Sequence, residues 1–180
     1  MKSSPAENQA VAQAQQQSGA ATQPYLTFAL GPDSYAAGIH AIREILEVPP
    51  LTVVPLVPGI VRGVMNLRGA VVPVVDLAAR FDLAPTQLAR RTCVVVVEMD
   101  TGEGGSAARQ PLGILVDAVH EVQDVAPDQV EPTPGLGTRI RPEFLSGMLR
   151  LNGQLLGVLD LPRVLAQQEL ARLVAGHPPR

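Results

Sequence analysis

The stretch Gly59 to Phe81, GIVRGVMNLRGAVVPVVDLAARF, decides the fold. Two β-branched runs flank the pair Arg68-Gly69, and the end of the second run enters a short helical turn, so the segment reads as a hairpin. Pro73 sits inside the return strand. Because proline cannot donate to a ladder, it predicts a strand edge or a bulge there.

Upstream, YLTFAL from Tyr25 and the run Tyr35 to Ile39 are separated by Gly31-Pro32-Asp33-Ser34, which predicts an earlier hairpin. Between the two hairpins lies HAIREILEV. Ile42 and Leu46 there, with Ile39 just before, recur at helical spacing, with Arg43, Glu44 and Glu47 on the other face, and a short amphipathic helix is expected, ended by Pro49 and Pro50. Downstream, Thr92 to Met99 is a nearly continuous valine run, which predicts a strand buried on both faces. Pro111 to Asp117 and Val119 to Val125 read as further strands. FLSGMLRL and QLLGVLDL are joined by Asn152-Gly153, a strong short hairpin signal. Asp160 is placed to cap a C-terminal helix with Pro162 in its first turn. Leu170, Leu173 and Val174 fall on a different face from Leu161, Val164 and Leu165, so the helix either breaks near Gln168 or packs its far end on something else. No internal repeat is strong enough to establish a duplication.

Many short strands with Gly/Pro punctuation predict a mainly β architecture of one or two small barrels. Residues 1–24 are Ala-, Gln- and Ser-rich with almost no large apolar side chain, which predicts a disordered tail. Apolar residues make up 46% of the chain and aromatics 3%, so the core is aliphatic. A formal charge of −3, the absence of tryptophan and the lack of a basic cluster argue against nucleic acid. No apolar stretch reaches the length of a membrane span and the N-terminus lacks a secretory layout, so a cytoplasmic location without membrane insertion is expected. The single cysteine, Cys93, lies in an apolar run and reads as a buried core thiol.

Catalytic and cofactor chemistry finds little support. Gly102 to Ala107 fits the form G-x-G-x-x-A, but a dinucleotide site needs a helix directly behind the glycines, and Pro111 and a strand follow instead. His40, His120 and His177 are far apart and form no metal-ligand spacing. No serine lies in a G-x-S-x-G elbow, and Cys93 has no neighbouring cation to activate it. No catalytic residue, metal or cofactor is therefore expected. Arg68, at a hairpin tip, would present its five-donor fork outward, suited to a carboxylate or to helix-end carbonyls.

GVMNLRGAVVPVVDL, Gly63 to Leu77, closely resembles the signature run of the CheW family. YLTFALGPDSYAAGI, IREIL, PLGILVDAVHEVQDV and LLGVLDLPRVL match further family segments in the right order, covering about residues 25–167 and leaving 168–180 as a helix end and tail. The resemblance implies two interlocked five-stranded SH3-like barrels with short helices, a C-terminal helix and a hydrophobic seam. It implies a non-catalytic adaptor that bridges the cytoplasmic tip of methyl-accepting chemoreceptors to the regulatory domain of a CheA-type histidine kinase; paralogues serve the same role in type IV pilus and surface-sensing pathways. Carried over by position, Ile42, Glu44, Gly63, Asn66 and Arg68 are implied as receptor-contacting or contact-supporting residues. Glu131 and Leu136, in the segment Glu131 to Leu136, are implied on the kinase side; some relatives have a basic residue and a phenylalanine there.

Overall fold

The structure is a computed structural model that describes residues 5–16, 22–55, 59–100, 109–133 and 139–165. The elements are, in chain order, α1 (Pro5–Gln16), β1 (Gln23–Leu30), β2 (Asp33–Gly38), β3 (Ile42–Glu47), β4 (Val61–Leu67), β5 (Ala70–Asp76), α2 (Leu77–Arg80), β6 (Cys93–Asp100), β7 (Arg109–Val116), β8 (Ala118–Val125), β9 (Val130–Glu131), β10 (Leu145–Leu151), β11 (Gln154–Leu159) and α3 (Leu161–Val164). They form two sheets. One has the order β3-β6-β7-β5-β4 and the other β8-β1-β2-β11-β10-β9.

Each sheet closes on itself in the same way. The chain leaving β3 runs on to Thr52, whose N–H donates to Val64 O and whose O accepts from Val64 N, both at 2.9 Å, so the edge strand β3 reaches round to the opposite edge β4. In the second sheet the edge strand β8 continues through a 3-10 turn at Pro127–Gln129 into β9, which pairs with β10 at the far edge. Closure removes the unpaired backbone groups that an open edge would leave. The two-residue β9 is the sixth strand of what is otherwise a pair of five-stranded barrels.

The barrels interlock because the N-terminal hairpin β1-β2 belongs to the barrel completed by β8 to β11, while β3 to β7 build the other. Each barrel contains one parallel pair, β5 with β7 and β2 with β11, at corresponding places. The correspondence extends to sequence at one constant offset: Gly63 and Gly147, Leu67 and Leu151, Gly69 and Gly153, Val74 and Val158, Asp76 and Asp160, Leu77 and Leu161. The strand register also shifts next to the same glycine in each, at Val61/Gly63 and at Leu145/Gly147. The chain is thus an internal repeat with its leading hairpins exchanged, which corrects the reading that no repeat could be established. Six shared positions dispersed among variable apolar residues are too few to stand out until the strands are superposed by role.

Three apolar clusters fill the molecule. Leu46, Met65, Leu67, Val72, Val74, Val94, Val96 and Leu115 fill the first barrel. Ala36, Val125, Leu149, Leu156 and Val158 fill the second. The third and largest lies between them and draws on both sheets, α2 and α3. The chain has only three phenylalanines and two tyrosines, and Phe28, Tyr35, Phe81 and Phe144 form one chain of tilted rings in this seam, their centroids 5.4–6.4 Å apart. Arg80 closes the row, its guanidinium 4.7 Å above the Phe144 ring while its Nε donates to Val164 O at 2.9 Å. The scarce aromatics are spent where two rounded surfaces meet and large, flat side chains fill the gap.

The valine run is β6, central in its sheet between β3 and β7, as its buried character requires. The Asn152-Gly153 pair forms the β10-β11 turn, with φ of 49° and 78°. Pro73 lies opposite Val64 and just outside the part of β5 that pairs with β7, which begins at Val74, so its missing N–H costs no ladder bond. Asp160 caps α3 by accepting from Arg163 N. The continuation of the C-terminal helix lies outside the described residues.

Two elements differ from expectation. HAIREILEV is not a helix: Ile39–Ala41 form a 3-10 turn and Ile42–Glu47 form β3, paired antiparallel with β6. A bulge between Ile42 and Glu44 breaks the two-residue alternation, so apolar residues fall at spacings that imitate a helical face. Pairing with the valine strand then outweighs a weak local preference.

The second difference is α1. Residues 5–16 of the expected disordered tail form a helix against β3, β8 and the 3-10 turn. Val11 is buried in the seam cluster, and Asn8 Oδ1 accepts from Ile45 N at 2.8 Å on the side of β3 that β6 leaves open. Glu7, Asn8 and Val11 share one helical face. Burying one valine stabilises by about 2 kcal/mol and the amide bond by about 1 kcal/mol. A twelve-residue helix is marginal alone, so this contact with the barrels is what defines it.

Candidate functional site

The β4-β5 turn carries the site. Arg68 has φ 49° and Gly69 φ 86°, two successive left-handed residues of the kind that match strand twist in a two-residue hairpin. Asn66 Oδ1 accepts from Gly69 N at 3.0 Å and holds this turn. Arg68 is thereby projected toward β3, where Glu44 waits. Its Nη1 donates to Glu44 Oε1 and its Nη2 to Glu44 Oε2, both at 2.7 Å, a bidentate fork. The Glu44 side chain is only 8% exposed, whereas that of Arg68 is 63% exposed. Hydrogen bonding to the carboxylate, and then its charge, push the Arg68 guanidinium further up. A guanidinium has five N–H donors and the fork uses two. The result is a fixed cation at a barrel rim, held from beneath and open above, a shape suited to acceptor groups of a docking partner rather than to turnover.

The sequence placed Glu44 on the exposed face of a helix; it is instead buried on β3 and paired. Gly63 lies where β4 meets the closing bridge: a Cβ there would stand 2.5 Å from Thr52 O, and its φ is 149°. Gly63 and Asn66 therefore shape the backbone under the pair. Ile42 is 2% exposed, within the seam cluster that also holds Val11 and Ile45. Of the kinase-side positions, Glu131 is exposed on β9 with its Oε1 3.5 Å from Arg150 Nε, and Leu136 lies outside the described residues. So does the Gly102 to Ala107 segment, which connects β6 and β7, two strands paired up to Asp100 and Arg109.

One buried assembly was not read from sequence. Asp76, fully buried, accepts at Oδ2 from Arg62 Nη1 at 2.9 Å and from Thr86 N at 3.0 Å, and at Oδ1 from Ala79 N at 3.2 Å. Arg62 Nη1 also donates to Thr86 O at 2.7 Å. One carboxylate thus caps α2, neutralises Arg62 and fixes the segment that leads from α2 to β6. The short helical turn was legible in the sequence; the cap and the Arg62 and Thr86 partners, set by folding, were not.

Among the described residues no three His, Cys, Asp or Glu side chains gather as a metal site. His40 is exposed and His120 Nε2 lies 3.4 Å from Ser34 Oγ; His177 is outside the described residues. Cys93 is half-buried at the seam margin rather than in the core, and burial, then the nearby Glu7 carboxylate of α1, push its thiol up. It is expected to react with thiol reagents more slowly at pH 8 than in the urea-unfolded chain. Equal labelling rates in the two states would contradict this. No described helix is long and apolar enough to cross a membrane.

Comparison with known proteins agrees with this architecture. A family model described as CheW-like domain matches residues 24–169. A "Probable chemotaxis protein CheW" of Rhizobium etli is 30% identical over 144 residues, covering 80% of this chain and 88% of the relative. The "Chemotaxis protein CheW" of Klebsiella aerogenes is 29% identical over 149 residues, 83% of this chain and 85% of that protein. The crystal structure of the scaffolding protein TtCheW from Thermoanaerobacter tengcongensis superposes with a TM-score of 0.68 at 28% identity, over 78% of this chain and 90% of that one.

Proposed function

Because the chain belongs to the CheW-like family of non-catalytic chemotaxis scaffolds, we propose that it couples the cytoplasmic tip of methyl-accepting chemoreceptors to the regulatory domain of a CheA-type histidine kinase. The observation that carries this is the bidentate Arg68–Glu44 pair, formed by two segments that match the family's pattern and set at a barrel rim with the arginine open to solvent. Receptor tips are helical hairpins. A helix docking beside this pair would offer carbonyl or carboxylate acceptors to Arg68 and an apolar stripe to the residues of β3. Glu131 and Leu136 are assigned to the kinase side in this reading, and the protein works in the cytoplasm at receptor arrays. Single contacts of this kind are weak and gain strength by repetition in an array.

The test is a pull-down with receptor cytoplasmic fragments and kinase regulatory domain, wild type beside Arg68→Ala, with circular dichroism confirming the variant's fold. Arg68→Ala is expected to lose the receptor and keep the kinase. Undiminished receptor capture by the variant would remove Arg68 from the interface. A wild type that captures neither partner would refute the coupling role.

A further inference from the structure

We propose that α1 is a displaceable plug: it occupies the open side of β3 that the receptor helix takes, and so holds the full chain in a low-affinity state. The inference rests on the receptor-docking reading above and adds its regulation.

Three observations lead to it. First, the place. α1 lies along the seam where β3, β8 and the Ile39–Ala41 turn meet, and Asn8 Oδ1 takes the Ile45 N–H, a backbone donor two residues from the Ile42 to Glu44 bulge. A helix already sits in this groove, which shows that its shape accepts one. Second, the burial. Ile42 is assigned to the receptor contact, yet it is 2% exposed, and it belongs to the same apolar cluster as Val11 of α1 and its β3 neighbour Ile45. A partner can reach Ile42 only after the packing of this seam loosens. Third, the attachment. Val11 is the one fully buried α1 residue among those whose side chains are described, while Pro5, Ala6, Gln9, Ala12 and Gln13 are exposed. Such a helix is held far less firmly than any strand it covers, and it is joined to β1 by only a short connection. A tether of that length keeps the plug at a high effective concentration, so a weak contact suffices to compete with a partner in solution and yields to a crowded array.

The influence of Glu7 on Cys93 supplies a reporter, because release of α1 removes a neighbouring negative charge that holds the thiol up. The experiment compares the full chain with its Val11→Asp and Asn8→Ala variants. Three quantities are read: the Cys93 labelling rate, exchange of the Ile45 amide by NMR, and affinity for a receptor cytoplasmic hairpin fragment, with kinase regulatory domain binding as the control for folding. Val11→Asp is expected to speed Cys93 labelling and Ile45 exchange and to tighten receptor binding about tenfold, with kinase binding unchanged. Asn8→Ala shifts all three in the same direction by less, and serves alone if Val11→Asp loses kinase binding. Faster labelling with unaltered receptor affinity overturns the plug and leaves the docking site standing. Unchanged labelling and exchange overturn it too, since α1 is then not what covers β3. If labelling accelerates and no form binds receptor, the docking reading itself fails and takes the inference with it.

Discussion

Gly63→Ala is expected to lower the denaturation midpoint more than any other single methyl addition to the described barrels. The new Cβ would stand 2.5 Å from Thr52 O, the acceptor from Val64 N in the two-bond bridge, each bond 2.9 Å, that joins Thr52 to Val64, at a φ of 149° that side chains rarely adopt. Overpacking against backbone costs about 1–3 kcal/mol and the strained φ a similar amount, so a loss of roughly 3 kcal/mol or more is expected, a large share of a typical domain's stability. The corresponding Gly147→Ala meets Glu131 O at 2.8 Å and Val130 Cγ1 at 2.6 Å and is expected to cost about 2 kcal/mol, since only the overpacking applies. Gly38→Ala is the control: nothing lies within 4 Å of its Cβ, φ is −60°, and a change within about 0.5 kcal/mol is expected. Urea denaturation followed by circular dichroism ranks the three. A Gly63→Ala midpoint matching that of Gly38→Ala would show that the Thr52 bridge does not hold the first barrel closed.

Asp76→Ala is the second large effect. It leaves Arg62 with Thr86 O but no carboxylate, leaves Thr86 N without its acceptor and uncaps α2. Removing one partner of a buried, hydrogen-bonded pair costs about 3–5 kcal/mol. Its counterpart Asp160 is 27% exposed and accepts from Arg163 N, with the Arg163 side chain 3.5 Å away, so Asp160→Ala removes little more than a cap, about 1 kcal/mol. The same urea series decides this. Equal losses at the two aspartates would mean that the Arg62 and Thr86 contacts contribute nothing.

These paired predictions depend on a symmetry that the strands reveal and the letters hide. Hairpins with glycine-bearing tight turns, at Arg68-Gly69 and Asn152-Gly153, were legible because a left-handed turn narrows the choice of residue. The valine strand was legible because a strand covered on both faces has no polar alternation to obscure it. β3 was not, because the bulge after Ile42 displaces its pattern by one residue, and neither was α1, whose one anchoring valine is invisible until the seam exists. For the site, Arg68 at a hairpin tip was read correctly. The burial of Glu44 was not, since it depends on β3 being a strand whose pairing brings it beneath that tip. The Arg62–Asp76–Thr86 assembly joins residues from three segments and has no local signature at all.

The exchange of leading hairpins also sets an order of events during synthesis. When the ribosome has released β1 to β7, the first barrel has every strand it needs, Thr52 included. The hairpin β1-β2, made earlier, still lacks β8, β10 and β11. Its apolar residues Leu26, Phe28, Tyr35 and Ala36 must therefore wait, uncovered, for nearly the whole chain. This early-made hairpin is among the last segments to be buried, and a chain that stalls before β10 presents an unpaired sheet edge to its neighbours.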